Sequence, residues 1–305
     1  MEIGIVGAPG SGKSTLFHAL TGAEPQRGGE KPNVGMAPVP DERLDEVAAV
    51  EGSPKITPAA IRVLDAAGTT AAQLGALRRS DALLAVVDAF SGGGDPSAAL
   101  TDLELELVIA DRDHVERRLE RVQKEAKSGD PARKAEVERL EEALAHLEAG
   151  HPLRDFAGEL PPELDPLTAK PLVQVENGLG GIDAKLEAEL MDLPEEEAAA
   201  YRDGESALAE VVNRLFAELD LIQFFTAGDT EARAWTLKRG QTALEAAEQI
   251  HTDIARGFVR CEVIQWKDLV ECGTRAEAAR RGLQRLEGKE YVVADGDVLN
   301  VRFTP

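Results

Sequence analysis

The sequence predicts an α/β sheet carrying a helical arm, followed by a smaller α+β domain. Three observations carry that prediction. Through the first 220 residues, short apolar runs suited to buried parallel strands alternate with helical stretches. The first run, Glu2-Ile3-Gly4-Ile5-Val6, feeds a glycine-rich turn that opens directly into a helix. From Leu221 onward, strand-like segments gather around one clear helix, Ala243 to Ile250.

The turn reads Gly7-Ala8-Pro9-Gly10-Ser11-Gly12-Lys13-Ser14, the G-x-x-x-x-G-K-S pattern of a phosphate-binding P-loop. Leu16, Phe17 and Leu20 give the next segment a helical face. The glycines let the backbone approach phosphate oxygens, and the helix aims free N–H groups and its positive dipole end at them. Gly7, Ala8, Pro9, Gly10, Ser11, Gly12, Lys13, Ser14 and Thr15 are therefore the candidate nucleotide-binding residues. Lys13 is placed to neutralise the β- and γ-phosphates, and Ser14 to offer its hydroxyl to Mg²⁺. The bland alternative, a glycine-rich turn with no ligand, leaves the placed lysine and hydroxyl unexplained.

Gly22 to Pro40 is rich in Gly and Pro, shows no periodicity and is predicted as a long loop. In a nucleotide-switching protein it would be the first switch. Asp41 follows as an N-cap for a helix with Leu44, Val47 and Ala48 on one face. Ala60 to Leu64 reads as a strand that delivers Asp65-Ala66-Ala67-Gly68, of D-x-x-G form. Asp65 suits the Mg²⁺ shell, and the Gly68 N–H suits the γ-phosphate. Thr69 stands where a water-positioning residue often sits. Lys13, Asp65, Gly68 and Thr69 are the candidate catalytic set, with Ser14 and Asp65 as the metal set. Ala82 to Val87 and Leu172 to Val175 supply two further strands, and ligands of such sheets sit at strand C-termini.

Between those two strands lies a charged insertion, at about 98–165. Val108, Val115, Leu119, Val122 and Ala126 form a heptad-like stripe; Ser128-Gly129-Asp130-Pro131 breaks it; Val137, Leu140, Leu144 and Leu147 resume it. That pattern predicts an antiparallel coiled-coil arm. Lys124, Lys127, Arg133 and Lys134 stand near its tip, which reads equally well as a solvated end or a binding end. Ser206 to Leu219 is an amphipathic helix. The cut between domains falls at 220, with 1–220 as the sheet domain and 221–305 as the α+β domain. Leu221 to Thr226, Ala234 to Leu237 and Phe258 to Ile264 read as strands there, and Tyr291 to Val301 as a hairpin about Asp295-Gly296.

Charge excludes one class of function. The net charge is −22, yet the residues from Leu221 on hold 12 Lys/Arg against 13 Asp/Glu, so the acidity lies in the first 220. Such a surface repels nucleic acid, and no DNA partner is expected. RNA contact would need local basic clusters: the arm tip, and Arg275, Arg280, Arg281 and Arg285. No run approaches a membrane span, no secretory signal is read, and Cys261 and Cys272 match neither metal nor redox spacing. A cytoplasmic protein without a membrane partner is the expectation.

Taken together, these segments resemble the Obg-like ATPases of the YchF type over nearly the whole chain. The end carries the resemblance best: Phe224-Phe225-Thr226-Ala227-Gly228, Arg233-Ala234-Trp235-Thr236, Ile250-His251-Thr252-Asp253, Leu286-Glu287-Gly288-Lys289 and Asp295-Gly296-Asp297 are similar to that family's TGS domain, a ubiquitin-like module. Pro32-Asn33-Val34-Gly35 and Pro38-Val39-Pro40-Asp41-Glu42-Arg43 are similar to its first switch, and Ala126-Lys127-Ser128-Gly129-Asp130 to its arm turn. The resemblance implies a P-loop domain that prefers ATP, with GTP as the alternative, requires Mg²⁺ and acts on or near ribosomes.

This chain also departs from that pattern. Gly10 replaces an asparagine linked to monovalent-cation activation. Lys31 or Glu30 replaces a threonine, a switch metal ligand, ahead of Pro32. The second switch is shortened after Gly68, and the loop after the third strand is cut to Ser91-Gly92-Gly93-Gly94. Base reading by N-x-x-E becomes Asn177-Gly178-Leu179-Gly180, so Asn177 joins the nucleotide-binding set without its acidic companion. The expected function is a slow, YchF-like nucleoside triphosphatase coupled to ribosome or RNA contact. The alternatives are a nucleotide-binding adaptor without significant hydrolysis and a small-molecule kinase, the latter disfavoured by the arm and the TGS-like end.

Overall fold

The computed structural model describes residues 1–26, 28, 31–66, 71–90, 95–127, 129–161, 163–178, 180–201 and 206–304. In chain order its elements begin with β1 (Glu2–Val6), α1 (Lys13–Thr21), β2 (Asn33–Val39), α2 (Glu42–Glu51), β3 (Ile56–Thr57), β4 (Ala59–Asp65), α3 (Ala71–Leu77) and β5 (Ala82–Ala89). The arm follows as α4 (Pro96–Ala126) and α5 (Pro131–Glu148), then β6 (Leu172–Gly178), α6 (Ala184–Met191), α7 (Glu195–Tyr201) and α8 (Ala207–Glu218). The remainder is β7 (Leu221–Ala227), β8 (Ala232–Lys238), α9 (Ala243–Ile250), α10 (Thr252–Arg256), β9 (Phe258–Gln265), α11 (Trp266–Cys272), α12 (Arg275–Arg280), β10 (Arg285–Glu287) and β11 (Asp297–Phe303).

These elements form two compact units, Met1–Gly35 with Arg62–Leu208, and Met36–Ile61 with Ala209–Pro305. The chain leaves the first unit within β2 and returns within β4. Residues 36–61, with α2 and β3, and the helix α8 therefore group with the C-terminal residues, where a cut at 220 would keep them in the sheet domain.

The first unit is built on a sheet of order β2-β4-β1-β5-β6. β4, β1, β5 and β6 run parallel. Ile3, Ile5, Leu83 and Leu84 are buried in it, as strands covered on both faces require. The predicted loop at 22–40 is corrected in part: 33–39 is a strand whose Gly35, Ala37 and Val39 are buried while Val34, Met36 and Pro38 are exposed. Small and proline residues hid that alternation. Pro38 fits because β2 is an edge strand, where a missing N–H is tolerated.

The arm matches its stripe. Val108, Val115, Leu119 and Val122 of α4 pack with Leu140, Ala143 and Leu147 of α5. Asp130 caps α5 by accepting from the Ala132 N–H at 2.9 Å, and Gly129 takes the left-handed conformation (φ 92°) that turns the chain. At the arm's base, fully buried Asp111 accepts from Arg78 Nη1 at 2.5 Å, from the Leu167 and Thr168 N–H groups, and from Thr168 Oγ1.

The second unit has a sheet of order β10-β9-β11-β7-β8-β3. β7 and β8 are an antiparallel pair, and β11 runs parallel to β7 and antiparallel to β9. α9 covers one face, burying Ala243, Ala246 and Ala247 against Ile222, Phe224, Leu237, Cys261 and Val263. A helix packed on a mixed sheet in which β7 and β11, the first and last strands after residue 220, are parallel neighbours is the ubiquitin-like arrangement. α2 packs with β7, β8 and α11. The hairpin predicted at 291–301 is corrected: Asp295-Gly296 leads into a single strand, and the Gly296 N–H donates to the Gln223 carbonyl on β7. Among the described residues no helix is long and apolar enough to cross a membrane.

Candidate phosphate and metal site

The C-terminal ends of β1, β4 and β6 converge on the turn between β1 and α1. Ala8, Pro9 and Gly10 are exposed at its crown, while Ser11 and Lys13 are buried beneath it. Gly7 cannot be replaced without displacing backbone, because a Cβ there would stand 2.3 Å from the Val86 carbonyl oxygen on β5. Gly12 has φ 94° and serves as the N-cap of α1, yet among the described residues no side chain caps that helix. Its first N–H groups are left for a ligand.

Lys13 folds back over the loop and donates from Nζ to the Gly7 and Ala8 carbonyls at 2.9 and 2.8 Å. Burial lowers its pKa, and the nearby Asp65 and Glu106 carboxylates oppose that shift. The ammonium hydrogen-bonds only neutral carbonyls among the described residues, and a phosphate would outcompete them.

Asp65 ends β4 and is fully buried. Its Oδ2 accepts from Ser14 Oγ at 2.8 Å and from Asn33 Nδ2 at 3.1 Å. Its Oδ1 is buried with no hydrogen-bond partner among the described residues. A hydroxyl beside a carboxylate with one unsatisfied buried oxygen is a hard, all-oxygen donor set that fits Mg²⁺.

Asn177, at the end of β6, ties the loop to its far side. Its Nδ2 donates to the Ser11 carbonyl at 2.9 Å, and its Oδ1 accepts from the Ala184 N–H of α6 at 3.0 Å. One N–H and one lone pair remain for a ligand. The chain then turns within five residues, with the Ile182 N–H donating to the Glu176 carbonyl, and Asp183 caps α6. This tight return is why Asp183-Ala184-Lys185 follows Asn177 so soon.

The structure therefore brings together Gly7 to Thr15, Asp65 and Asn177. Gly68 and Thr69, like Leu179 and Ser91 to Gly94, lie outside the described residues. Asn33 reaches Asp65 at 3.1 Å and is absent from the predicted set, although Pro32-Asn33-Val34-Gly35 marked the segment.

The basic clusters fare unequally. Arg133 pairs with Glu136 at 2.7 Å and with Glu125 at 3.3 Å. Burial pushes the Glu136 carboxyl up, but hydrogen bonds from Arg118 and Arg133 hold it below the usual range. Arg275 pairs with Glu51, Arg280 and Arg281 share Glu277, and Arg285 donates to the Tyr291 hydroxyl and lies near Glu287. Lys124, Lys127 and Lys134 are exposed and form no ion pair among the described residues.

The chain is similar over its length to known proteins. Residues 2–128 match a family model described as "50S ribosome-binding GTPase". Residues 221–304 match one described as "Protein of unknown function (DUF933)", named for the YchF C-terminal domain. The chain is 35% identical over 366 residues to "Ribosome-binding ATPase YchF" of Bacillus subtilis, covering 99% of both chains. It is 34% identical to the protein of that name from Escherichia coli O157:H7, again over 99% of each. The YchF GTPase structure of Schizosaccharomyces pombe superposes with a TM-score of 0.82 at 28% identity, covering 99% of this chain and 97% of that one. An alignment spread over 366 positions exceeds the 305 residues of this chain, as a shortened relative requires.

Proposed function

The chain belongs to the YchF family, and from that premise we propose that it is a P-loop nucleoside triphosphatase that binds ATP with Mg²⁺, hydrolyses it slowly, and couples nucleotide state to ribosome contact. The observation that carries the reading is the Ser14–Asp65 pair beside Lys13, with a buried Asp65 oxygen still unsatisfied. In this reading the loop N–H groups and Lys13 hold the β- and γ-phosphates. Ser14 and Asp65 would hold Mg²⁺, which when bound offsets charge on the phosphate oxygens. Lys13 leaves the Gly7 and Ala8 carbonyls to meet the phosphates, and Asn177 keeps the Ser11 peptide fixed as it does so. Gly68 would meet the γ-phosphate and Thr69 would orient water.

Slow turnover follows from what the residues supply. Phosphoryl transfer rests on positioning and charge stabilisation. The grip residues provide charge, while Thr69 is short and stiff at χ1 and Gly10 offers no ligand to an activating cation. ATP is the expected base partner, since Gly180 stands where a guanine-reading carboxylate would be needed. GTP competes less strongly.

Phosphate release under single-turnover conditions, with ATP and with GTP and with Lys13→Ala as the blank, tests the reading. A measurable rate well below about 1 s⁻¹, lost in Lys13→Ala and higher with ATP, is expected. A rate indistinguishable from the blank, with or without ribosomes, would leave a nucleotide-binding adaptor instead.

A further inference from the structure

We propose that Asn33 is a positioning residue for Mg²⁺, acting through the Asp65 carboxylate. The inference rests on the Mg²⁺–nucleotide reading of this site. Its starting point is the distribution of donors on the Asp65 carboxylate. Among the described residues its donors, Ser14 Oγ at 2.8 Å and Asn33 Nδ2 at 3.1 Å, both fall on Oδ2. Oδ1 is buried and receives none among the described residues.

The orientation of the Asn33 amide is fixed by chemistry. Its Oδ1 accepts from the Gln26 N–H at 2.9 Å. Turning the amide over would set its NH₂ against that N–H and its oxygen against the Asp65 carboxylate, two repulsive contacts in place of two hydrogen bonds. The end facing Asp65 is therefore a donor without a lone pair, so Asn33 does not ligate a cation. It pins one carboxylate oxygen and so sets the plane of the other. Asp65 cannot then rotate its unsatisfied oxygen away from the Ser14 hydroxyl.

Partners of this kind, one bond removed from the metal, change affinity by about 10–100-fold when removed. The sequence supports the assignment by position. Asn33 opens β2 and is half-buried, where an amide can reach Asp65 while its backbone begins the edge strand. A shorter side chain in its place would leave Oδ2 with Ser14 alone.

The test measures binding and needs no turnover. ADP carrying a fluorescent ribose label is bound to the full chain in EDTA, then titrated with Mg²⁺, for wild type, Asn33→Ala, Asp65→Asn and the double variant. Asn33→Ala is expected to need about tenfold more Mg²⁺ to reach half of the metal-induced change, with its affinity in EDTA and its melting temperature close to wild type. In the Asp65→Asn background the same substitution should add nothing, because its effect runs through that carboxylate. An unchanged Mg²⁺ half-point in Asn33→Ala, or an equal shift in both backgrounds, overturns the proposal. If Asn33→Ala melts early, Asn33→Ser carries the same expectation. Should wild type and Lys13→Ala bind ADP equally in EDTA, the nucleotide reading itself fails, and that outcome is distinct from either of the others.

Discussion

Asn177 Nδ2 lies 2.1 Å from where a Cβ on Gly12 would stand, and the same amide donates to the Ser11 carbonyl at 2.9 Å. The two residues share one space, so the glycine is required twice, by that close approach and by its φ of 94°. Gly12→Ala should therefore abolish measurable nucleotide binding in calorimetry. Asn177→Ala frees the Ser11 peptide and should weaken binding by about 1–3 kcal/mol, the cost of stranding a buried polar group. The double variant relieves the clash but keeps the left-handed strain, so it should recover only part of the Gly12→Ala loss. Full recovery would show that the steric clash alone makes the glycine necessary.

Lys13→Ala should weaken ATP by about 1.5–3 kcal/mol, roughly 10- to 150-fold, as expected for one charge-assisted hydrogen bond. The pH dependence has a definite sign. Burial lowers the Lys13 pKa, so the free protein loses this charge below the ordinary value of 10.5. Phosphate binds the charged form, so affinity should fall as pH rises through that lowered value. Titrations between neutral and alkaline pH check this, and the fall should be missing in Lys13→Ala.

Arg78 follows α3 directly, and Asp111 sits on α4 at the root of the arm, so their buried ion pair fixes the arm to the sheet unit. Asp111→Ala strands a guanidinium that is itself buried and frees two backbone N–H groups at 167 and 168. A loss of about 3–5 kcal/mol is expected, read as a lower urea midpoint. Replacing both Arg78 and Asp111 by apolar residues should cost less than Asp111→Ala alone, because no charge is then left unpaired.

The parts of this fold that are legible in the sequence are those whose period or motif is dictated locally. β1, β5, α9 and the arm follow from apolar spacing, and the phosphate loop from its glycines and lysine. β2 is not legible, because Gly35, Ala37 and Pro38 carry little hydrophobic contrast even though they alternate. The grouping of α2 with the C-terminal residues is set by long-range pairs such as Glu51–Arg275 and Arg43–Asp295, which no local pattern announces. The same holds for Asn33, whose role depends on Asp65 far along the chain. The arginines of the C-terminal unit show the converse failure: a basic cluster in sequence is neutralised in space by Glu51 and Glu277.

That neutralisation sharpens where a ribosome or RNA contact should lie. An arginine already paired with a carboxylate must give up that partner before it can meet phosphate, so its net contribution is small. Arg133 is in that position, held by Glu125 and Glu136, and so are Arg280 and Arg281 with Glu277. Lys124, Lys127 and Lys134 are exposed around the arm turn and form no ion pair among the described residues, in a unit whose acidity would otherwise repel nucleic acid. Changing these three lysines to glutamate should weaken co-sedimentation with ribosomes. It should also flatten the salt dependence, by about 0.7–0.9 in the log–log slope for each phosphate no longer neutralised. The arm core lies on the opposite stripe, so helicity by circular dichroism should match wild type. Arg280→Ala with Arg281→Ala is the matched control and should change binding little. If the lysine variant sediments as wild type while the arginine variant does not, the C-terminal unit carries the ribosome-binding surface and the arm-tip lysines do not.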